Sequence, residues 1–239
     1  MSFPDALNVL KSRSLPALVQ EELERMIIDG RLLPGEPLRE VPLSALLGVS
    51  RGPIREAFRG LEEKGLVRVV KNCGVHVRTL DLHEADQIYE VRAVLEAMIG
   101  AKVARAAGSG GRAELHALIV QMEEAVAGCD INRYTALNFA LHDRLAALSG
   151  NHKLHETYSR LVSELSLFRR QTYIHNEASL SLSLGEHRAI VEAVCAGEAD
   201  QAADLLQRHC NDSRARMHQA LCPASSSPSL NTNVTRSAE

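Results

Sequence analysis

Two sets of residues have the types and the spacing that binding chemistry requires. Three arginines, Arg51, Arg55 and Arg59, recur every four residues, so a helical period places them on one face. The opposite face of the same helix would be apolar, with Ile54, Ala57, Phe58 and Leu61. Such a helix is suited to the major groove of DNA. The alternative is a solvated face on which the arginines pair with Glu56, Glu62 and Glu63.

The second set combines an amide with three imidazoles. Asn138 and His142 are four residues apart and share a helical face, whereas His187 and His209 belong to later helices. Each histidine lies beside apolar residues and is therefore expected to point inward. If these side chains converge, they would suit Zn²⁺, Ni²⁺ or another first-row divalent ion. Because the chain has ten histidines, the alternative of ordinary surface or core histidines stays open.

The elements around the arginines predict a helix-turn-helix followed by a wing. Gly48 suits a tight turn, Ser50 an N-cap whose side chain accepts a backbone N–H, Pro53 the first helical turn, and Gly65 a C-terminal stop. Apolar periods predict helices over residues 15–29 and 42–47. The β-branched runs 66–70 and 75–77 predict a hairpin with a basic tip at 71–74. The sequence therefore predicts a winged helix-turn-helix domain over residues 1–80.

From residue 81 onward the pattern is helical. Amphipathic periods predict six helices, at residues 81–107, 112–127, 131–149, 152–174, 184–196 and 199–221. The first of them should bury one stripe, formed by Ile88, Val91, Leu95, Met98, Ile99 and Val103. The predicted fold class is mainly α, with an all-α bundle over residues 81–221. The Ser/Thr/Asn-rich stretch 222–239 is predicted to be a disordered tail.

Charge and composition narrow the function classes. The net charge is −3, but residues 1–80 hold twelve Lys/Arg against ten Asp/Glu, and the remainder holds fifteen against twenty. A basic head on an acidic body has the sign expected for a DNA reader. The chain has no apolar run of membrane-spanning length and no signal-peptide layout, which predicts a cytoplasmic protein. Five dispersed cysteines predict reduced thiols without a thiolate metal site.

The residues of the predicted head also carry a family resemblance. The run LPGEPLRE…LSALLGVSRGPIREAFRGLEEKGLVRVVKNCGVHV resembles the DNA-binding domain of the GntR family of bacterial transcription regulators. The resemblance implies DNA contacts at the start of the recognition helix and at the wing tip, namely Ser50, Arg51, Gly52, Pro53, Arg55 and Asn72 to Gly74. Some members have a basic residue early in the preceding helix. Here Val41 and Pro42 occupy that place, and Arg39 is the nearest substitute.

A second resemblance covers about residues 80–215. The segments VRAVLEAMIGAKVA, LNFALHDRLAALSGN and EHRAIVEAVCAGEADQAADLLQRH resemble the ligand-sensing domain of FadR-like GntR regulators. This resemblance implies a divalent metal held by Asn138, His142, His187 and His209. It also implies a small carboxylate effector paired with Arg92, for which the alternative is an ion pair with Glu96 four residues later.

The expected function is a homodimeric repressor that binds a palindromic operator and responds to an organic acid. One rival is a metal-dependent enzyme that uses the three histidines, but the nearest base, Glu186, should point about 100° away from His187 around its helix. Another is a constitutive DNA-architectural protein whose bundle only dimerises. Tests of turnover, metal content and sequence-specific DNA binding would separate the three.

Overall fold

The computed structural model describes residues 14–106, 108–174 and 178–221. The first part of the chain contains α1 (Leu15–Ile28), β1 (Pro37–Leu38), α2 (Glu40–Leu47), α3 (Arg51–Glu63), β2 (Val67–Val70) and β3 (Gly74–Val77). The second part contains α4 (Leu82–Ala106), α5 (Ser109–Ala127), α6 (Ile131–Leu148), α7 (His152–Ile174), α8 (Ala178–Ala196) and α9 (Ala199–Leu221). We call these two parts the head and the bundle. The predicted tail at 222–239 lies outside the described residues.

The head is built on the packing of α1 against α3. The N-cap residue of α1 is Ser14, whose side-chain oxygen accepts a hydrogen bond from the Ala17 amide. A proline lies in the first turn of the helix. The two helices bury their apolar faces in one core with the wing. The fully buried members of that core are Leu23, Ile54, Leu61, Leu66 and Val77. Burial of each such side chain stabilises the fold by about 1.5–3 kcal/mol.

The turn between α2 and α3 follows the helix-turn-helix prediction in all but one detail. Gly48 has a φ of +66°, a left-handed conformation that ends α2 and that glycine adopts without strain. Ser44 donates a side-chain hydrogen bond to the carbonyl of Val49 across this turn. Ser50 has the backbone conformation of an N-cap, but its side chain makes no capping hydrogen bond. The prediction that the Ser50 oxygen caps α3 is therefore wrong, since Ser44 already holds the turn.

The wing is a three-stranded antiparallel sheet in the order β1–β3–β2. Val67 lies opposite Val77 and Val70 opposite Gly74, which places residues 71–73 at the tip. Asn72 has a φ of +63°, a conformation that asparagine tolerates better than most residues. With this sheet and the helices before it, the predicted mainly α fold with an N-terminal winged helix-turn-helix is confirmed.

The bundle differs from the sequence prediction at two helix starts. Helix α5 begins at Ser109, so the glycines that follow lie in its first turn and do not separate two helices. Helix α8 begins at Ala178, before the predicted start at residue 184. Leu180 and Leu184 are buried in the bundle core, so burial extends this helix beyond what its serine-rich sequence suggests.

The stripe predicted for the first bundle helix is only partly buried. Ile88, Ile99 and Val103 lie in the interior, but Val91 is 50% exposed and Met98 is 47% exposed. The reason is that α4 packs along α9 and also contacts α7 and α8, and Arg92 and Glu96 occupy interior positions on that side. The prediction of a wholly buried stripe is therefore wrong at Val91 and Met98.

Two further sequence predictions concern membranes and thiols. None of the helices in the described residues combines the length and the apolar character needed to cross a membrane. Cys73, Cys129, Cys195 and Cys210 form no disulfide bond among the described residues, and Cys222 lies outside them.

The head contacts the bundle at α7. Leu167 packs against the head core. The buried Glu164 forms an ion pair with Arg78, which follows β3, and its Oε2 lies 3.0 Å from Nη1 of Arg78. The other oxygen of Glu164 lies 3.2 Å from Nε of Arg160 on α7 itself. One helix of the bundle therefore contributes both apolar and charged contacts to the head.

Candidate functional site

The arginine-bearing face of α3 is exposed. Ile54, Ala57, Phe58 and Leu61 turn into the head core, which leaves Arg51, Arg55 and Arg59 in solvent. Within the described part of the chain none of these three arginines forms an ion pair, so the predicted alternative of pairing with neighbouring glutamates is not observed. Glu62 instead accepts a hydrogen bond from the backbone amide of Val69 at 3.3 Å. These guanidinium groups are available to an external acceptor.

The other residues predicted to contact DNA also lie at the surface of the head. Ser50 is exposed at the start of α3, followed by the half-buried Gly52 and Pro53. Arg39 is exposed immediately before α2 and makes no capping hydrogen bond with its side chain. Asn72 and Gly74 are exposed at the wing tip. A tip of this kind could contact a groove beside the recognition helix.

The three predicted histidines come together inside the bundle. His142 on α6, His187 on α8 and His209 on α9 are all buried, although they are distant in sequence. The Nε2 atom of His142 lies 3.1 Å from Nε2 of His187 and 3.2 Å from Nε2 of His209. One nitrogen from each ring belongs to a group whose ligand atoms all lie within 4.8 Å of one another. The structure therefore produces the convergence that spacing alone left open.

The outer nitrogen of each ring has a polar partner. Nδ1 of His209 lies 2.6 Å from the Glu186 carboxylate, Nδ1 of His142 lies 3.2 Å from the Tyr158 hydroxyl, and Nδ1 of His187 lies 3.4 Å from the Tyr134 hydroxyl. A proton on each Nδ1 would make all three rings donors to these oxygens. The Nε2 lone pairs would then point at one another, which is the tautomer that metal-ligating histidines adopt.

The residues at this centre fit a first-row divalent ion. With metal–nitrogen bonds of about 2.0–2.1 Å, two imidazole nitrogens on one ion lie about 2.9–3.4 Å apart, depending on whether the geometry is octahedral or tetrahedral. The Nε2 separations of 3.1 and 3.2 Å from His142 fall in that interval. Asn138, one helical turn before His142, is buried, and both of its amide atoms lack a hydrogen-bond partner. Its Oδ1 could therefore serve as a fourth ligand.

Arg92 forms an ion pair with Glu96, the contact that stood as the alternative to an effector role, and both side chains are buried. Burial alone would lower the pKa of Arg92, but the negative charges of Glu96 and, to a smaller extent, of Tyr158, Cys210 and Tyr89 together hold that pKa well above its usual value. Glu96 also accepts a hydrogen bond of 2.7 Å from Tyr158, whose hydroxyl in turn contacts His142. The pair is therefore continuous with the histidine cluster. Nε and Nη1 of Arg92 have no partner in the structure, so this ion pair leaves part of the guanidinium available.

Glu186 is closer to the cluster than its helical position suggested. It contacts Nδ1 of His209, and its two oxygens accept hydrogen bonds of 2.6 and 2.8 Å from Arg216. Burial would raise the pKa of Glu186, but the hydrogen bonds from His209 and Arg216 lower it to about 2. The prediction that Glu186 points away from His187 considered positions around their own helix and no neighbouring helix. A neighbouring helix brings His209 to it.

Sequence reasoning missed or set aside six residues around the centre. They are contributed by five helices: Glu96, Tyr134, Tyr158, Ser183, Glu186 and Arg216. One of them carried a usable signal. Ser183 precedes His187 by four residues, the same spacing as Asn138 and His142, and it is fully buried. The two tyrosines carried none, because a buried tyrosine is as common in an ordinary core.

A separate cleft of about 990 Å³ lies where the head meets the bundle. It is bounded by α1 and α3 on one side and by α6 and α7 on the other. Tyr158 lines this cleft and also contacts His142, so its side chain connects the cleft with the histidine cluster. The sequence offered no indication of this cleft.

Comparison with known proteins agrees with both resemblances. Residues 17–77 match the family described as bacterial regulatory proteins, gntR family, and residues 87–212 match the FCD domain. The chain is 30% identical over 191 residues to YdhC of Bacillus subtilis, an uncharacterized HTH-type transcriptional regulator, covering 80% of this chain and 85% of that protein.

Two further proteins extend the comparison. A protein of Paenarthrobacter nicotinovorans described as a probable D-xylose utilization operon transcriptional repressor is 27% identical over 200 residues, covering 84% of this chain and 87% of its own. The solved structure of McbR/YncC from E. coli has the same fold, with a TM-score of 0.78 at 22% identity over 87% of this chain and 99% of that one. The matched family and the two sequence relatives are described as regulators of transcription, which excludes the rival interpretation as an enzyme. The chain belongs to the gntR family of bacterial regulatory proteins, in the FadR-like branch whose C-terminal domain is an FCD domain, and it is a transcription regulator.

Proposed function

We propose that this regulator is a homodimeric repressor whose affinity for a palindromic operator is controlled by a small organic acid bound in the bundle. The observation that carries the proposal is the convergence of His142, His187 and His209 beside the buried Arg92. The exposed arginines of the head would bind DNA, and the donors without partners in the bundle interior would bind the effector. The repressor assignment is taken from the name of the xylose-operon relative.

DNA recognition is assigned to α3 and the wing. Arg51 and Arg55 lie in the first turns of α3, the part of a recognition helix that contacts base edges, and Arg59 follows on the same face. Ser50, which does not cap the helix with its side chain, can donate its hydroxyl to a phosphate. Gly52 and Pro53 allow close approach of the helix start, and Arg39, Asn72 and Gly74 are assigned to flanking contacts. Neutralisation of phosphates should make binding weaken as salt rises.

Effector binding is assigned to the centre of the bundle. Asn138 and the three histidines would hold a divalent ion, with zinc or nickel the best fits to an imidazole-rich donor set. When bound, the ion would supply a Lewis acid that coordinates a carboxylate oxygen. Arg92 would pair with the same carboxylate through its unpartnered Nη1. In a buried setting such charge-assisted bonds are stronger than they are in water.

Helix α7 is the element that would connect the two ends. Its Tyr158 contacts His142 and Glu96, and its Glu164 contacts Arg78 of the head. A shift of α7 when the effector binds would therefore change the contact that holds the head. The effector can alter operator affinity only as far as it prefers one arrangement of α7 over another.

Dimerisation is assigned to the exposed side of α4. Val91, Val94 and Met98 are 50%, 61% and 47% exposed and follow one helical stripe. A contiguous apolar stripe on a soluble protein is typical of an interface, and a second copy of the chain would place two heads on the two halves of a palindrome. Val94→Lys is expected to shift the sedimentation coefficient from dimer to monomer, and an unchanged dimer would refute this interface.

The head is tested by operator titration. The wild-type chain first selects its operator from a random DNA library, and binding of that operator is then measured by gel shift. Arg55→Ala is expected to weaken binding by about 5- to 150-fold, the range for loss of one base contact. Arg105→Ala, which removes an exposed arginine from the bundle, is the control and should bind like wild type. Unchanged binding by Arg55→Ala would sink the assignment.

The centre of the bundle is tested by metal analysis. The purified wild-type chain is expected to contain about one divalent ion per protomer, and the double variant His142→Ala/His209→Ala is expected to lose it. The control, His83→Ala/His116→Ala, removes two exposed histidines from outside the cluster. Full retention of metal by the first double variant would refute the site. A protein that binds its operator identically with and without organic acids would instead be a constitutive DNA-architectural protein.

A further inference from the structure

The buried polar atoms of the bundle indicate which organic acid it accepts, an inference that rests on the proposed function. The buried polar atoms near the histidines are not all of one kind. Arg92 Nε, Arg92 Nη1, Asn138 Nδ2 and the Ser183 hydroxyl are donors without a partner in the described structure, whereas Glu96 Oε2 and Asn138 Oδ1, the atom assigned to the metal, are acceptors without one. Buried polar groups are almost always satisfied in folded proteins. A ligand that completes this site must therefore supply acceptors and at least one donor.

Glu96 is the residue that demands the donor. Its Oε1 atom is already used, because it accepts from Arg92 Nη2 and from the Tyr158 hydroxyl at 2.7 Å. Its Oε2 atom is buried in the same place and accepts nothing. An ionised carboxylate has no hydrogen to give, so a ligand carboxylate or an alkyl chain facing Oε2 would leave that oxygen unsatisfied.

The donors of the site define where the ligand carboxylate sits. Arg92 offers the N–H groups of its unpartnered Nη1 to a carboxylate oxygen, while its Nε–H points to the opposite edge of the guanidinium. Asn138 adds a further donor if its Oδ1 serves the metal, because Nδ2 then faces the ligand. Arg92 already pairs with Glu96 through Nη2. The acceptor atom that lacks a donor, Glu96 Oε2, therefore belongs to a residue that contacts the same guanidinium.

We propose that the effector is an organic acid that also carries a hydrogen-bond donor, a hydroxyl or an ammonium group, close to its carboxylate. The carboxylate accepts from Arg92, and the donor is directed to Glu96 Oε2. Hydroxy acids and amino acids satisfy this pattern. Unsubstituted fatty, aromatic and dicarboxylic acids do not, because they leave a buried carboxylate oxygen without a partner.

The test compares acids that differ in a single group. Isothermal titration of the metal-containing wild-type chain is carried out with succinate, malate and aspartate, and with propionate, lactate and alanine. In at least one series the hydroxyl- or ammonium-bearing acid is expected to bind about tenfold tighter than its unsubstituted parent, or better. Equal affinities within both series would overturn the inference. Binding of none of the six would contradict the proposed effector site itself, and with it this inference.

The variant Glu96→Gln assigns the preference to its cause. A glutamine presents an amide group that can donate as well as accept, so the preference for the substituted acid is expected to fall to about threefold or less. A preference that survives in Glu96→Gln would come from chelation of the hydroxyl by the metal and would overturn the role of Glu96. Glu156→Gln, the same substitution at an exposed carboxylate that pairs with Lys153, is the matched control and should keep the preference. If Glu96→Gln does not fold, as circular dichroism would reveal, malate and succinate are compared on the wild-type chain after removal of the metal by a chelator. A preference for malate that remains would support the role of Glu96, and its loss would overturn that role.

Discussion

The arginines of the head and the arginine at the centre of the bundle have opposite environments. Arg51, Arg55 and Arg59 are exposed and make no ion pair within the described residues, whereas Arg92 is 0% exposed and pairs with Glu96. An exposed guanidinium keeps its hydration until a phosphate or base replaces it. A buried one must be compensated by the protein at all times. The head therefore keeps its charge in solvent, whereas the bundle compensates its charge internally.

The same contrast applies to the aromatic and polar groups nearby. The Arg92 guanidinium lies 5.1 Å from the centre of the Tyr89 ring and 5.8 Å from that of Tyr158. Such contacts stabilise a desolvated cation and hold it in one orientation. No comparable set surrounds the α3 arginines among the residues described. Substitutions in the two regions should consequently affect different measurements.

The largest expected effect is on the stability of the bundle. Glu96→Ala would leave Arg92 buried without its counter-ion, and it is expected to lower the free energy of unfolding by about 3–5 kcal/mol. Arg51→Ala, in contrast, should leave the unfolding curve unchanged while weakening operator binding. Urea denaturation monitored by circular dichroism measures the free energy of unfolding of both variants. A loss below 1 kcal/mol in Glu96→Ala would show that the buried pair is not an energetic unit.

The next effect is expected at the junction of the two regions. Glu164→Ala removes the carboxylate that bridges Arg78 of the head and Arg160 of α7. Because this carboxylate is buried, the variant should lose about 1–3 kcal/mol of unfolding free energy. The control is Glu156→Ala on the same helix, where an exposed carboxylate pairs with Lys153. An equal loss in both variants would mean that the junction contributes nothing beyond a surface ion pair.

A smaller effect is expected at two glycines in helices, where a change in operator affinity can be distinguished from a change in the free energy of unfolding. A Cβ added to Gly52 or to Gly185 would meet no atom within 4 Å, so alanine fits at both positions. Each substitution is expected to raise the free energy of unfolding by up to about 0.5–1 kcal/mol, because alanine favours the helix. Gly52→Ala should also weaken operator binding, since Gly52 lies at the start of α3, whereas Gly185→Ala should not. Equal operator affinities would remove Gly52 from the DNA-binding face.

The smallest effect concerns pH. Asp86 on α4 accepts bonds of 2.7 Å from Arg214 and from His218 on α9, and the Arg214 hydrogen bond holds the pKa of Asp86 below its usual value. A carboxyl with a lowered folded-state pKa stabilises the fold at pH values above its unfolded pKa, and this contribution is lost as the pH falls through the folded value. Asp86→Asn should therefore cost about 0.5–1 kcal/mol at pH 7 and almost nothing near pH 2. A difference that is independent of pH would contradict this assignment.

The success of the sequence predictions differed between the two regions for a physical reason. In the head, the exposure of Arg51, Arg55 and Arg59 follows from the helical period and from the apolar residues between them, so local pattern was sufficient. In the bundle, the period placed Asn138 and His142 on one face of α6. It could not place them against His187 and His209, because the packing of α8 and α9 is a long-range property. The predicted stripe on α4 was wrong at Val91 and Met98 for the same reason.

The sequence by itself determined the identity of the elements: a winged helix-turn-helix that presents arginines and an acidic helical body that contains four candidate metal ligands. These follow from local periodicity, turn residues and motif density, all of which act over a few neighbouring residues. Only the tertiary structure decided which side chains share the interior. The packing of five helices joins Glu96, Tyr158 and Glu186 to the histidines and leaves Glu96 Oε2 without a donor. That unsatisfied oxygen arises from contacts between distant segments, which no local pattern encodes.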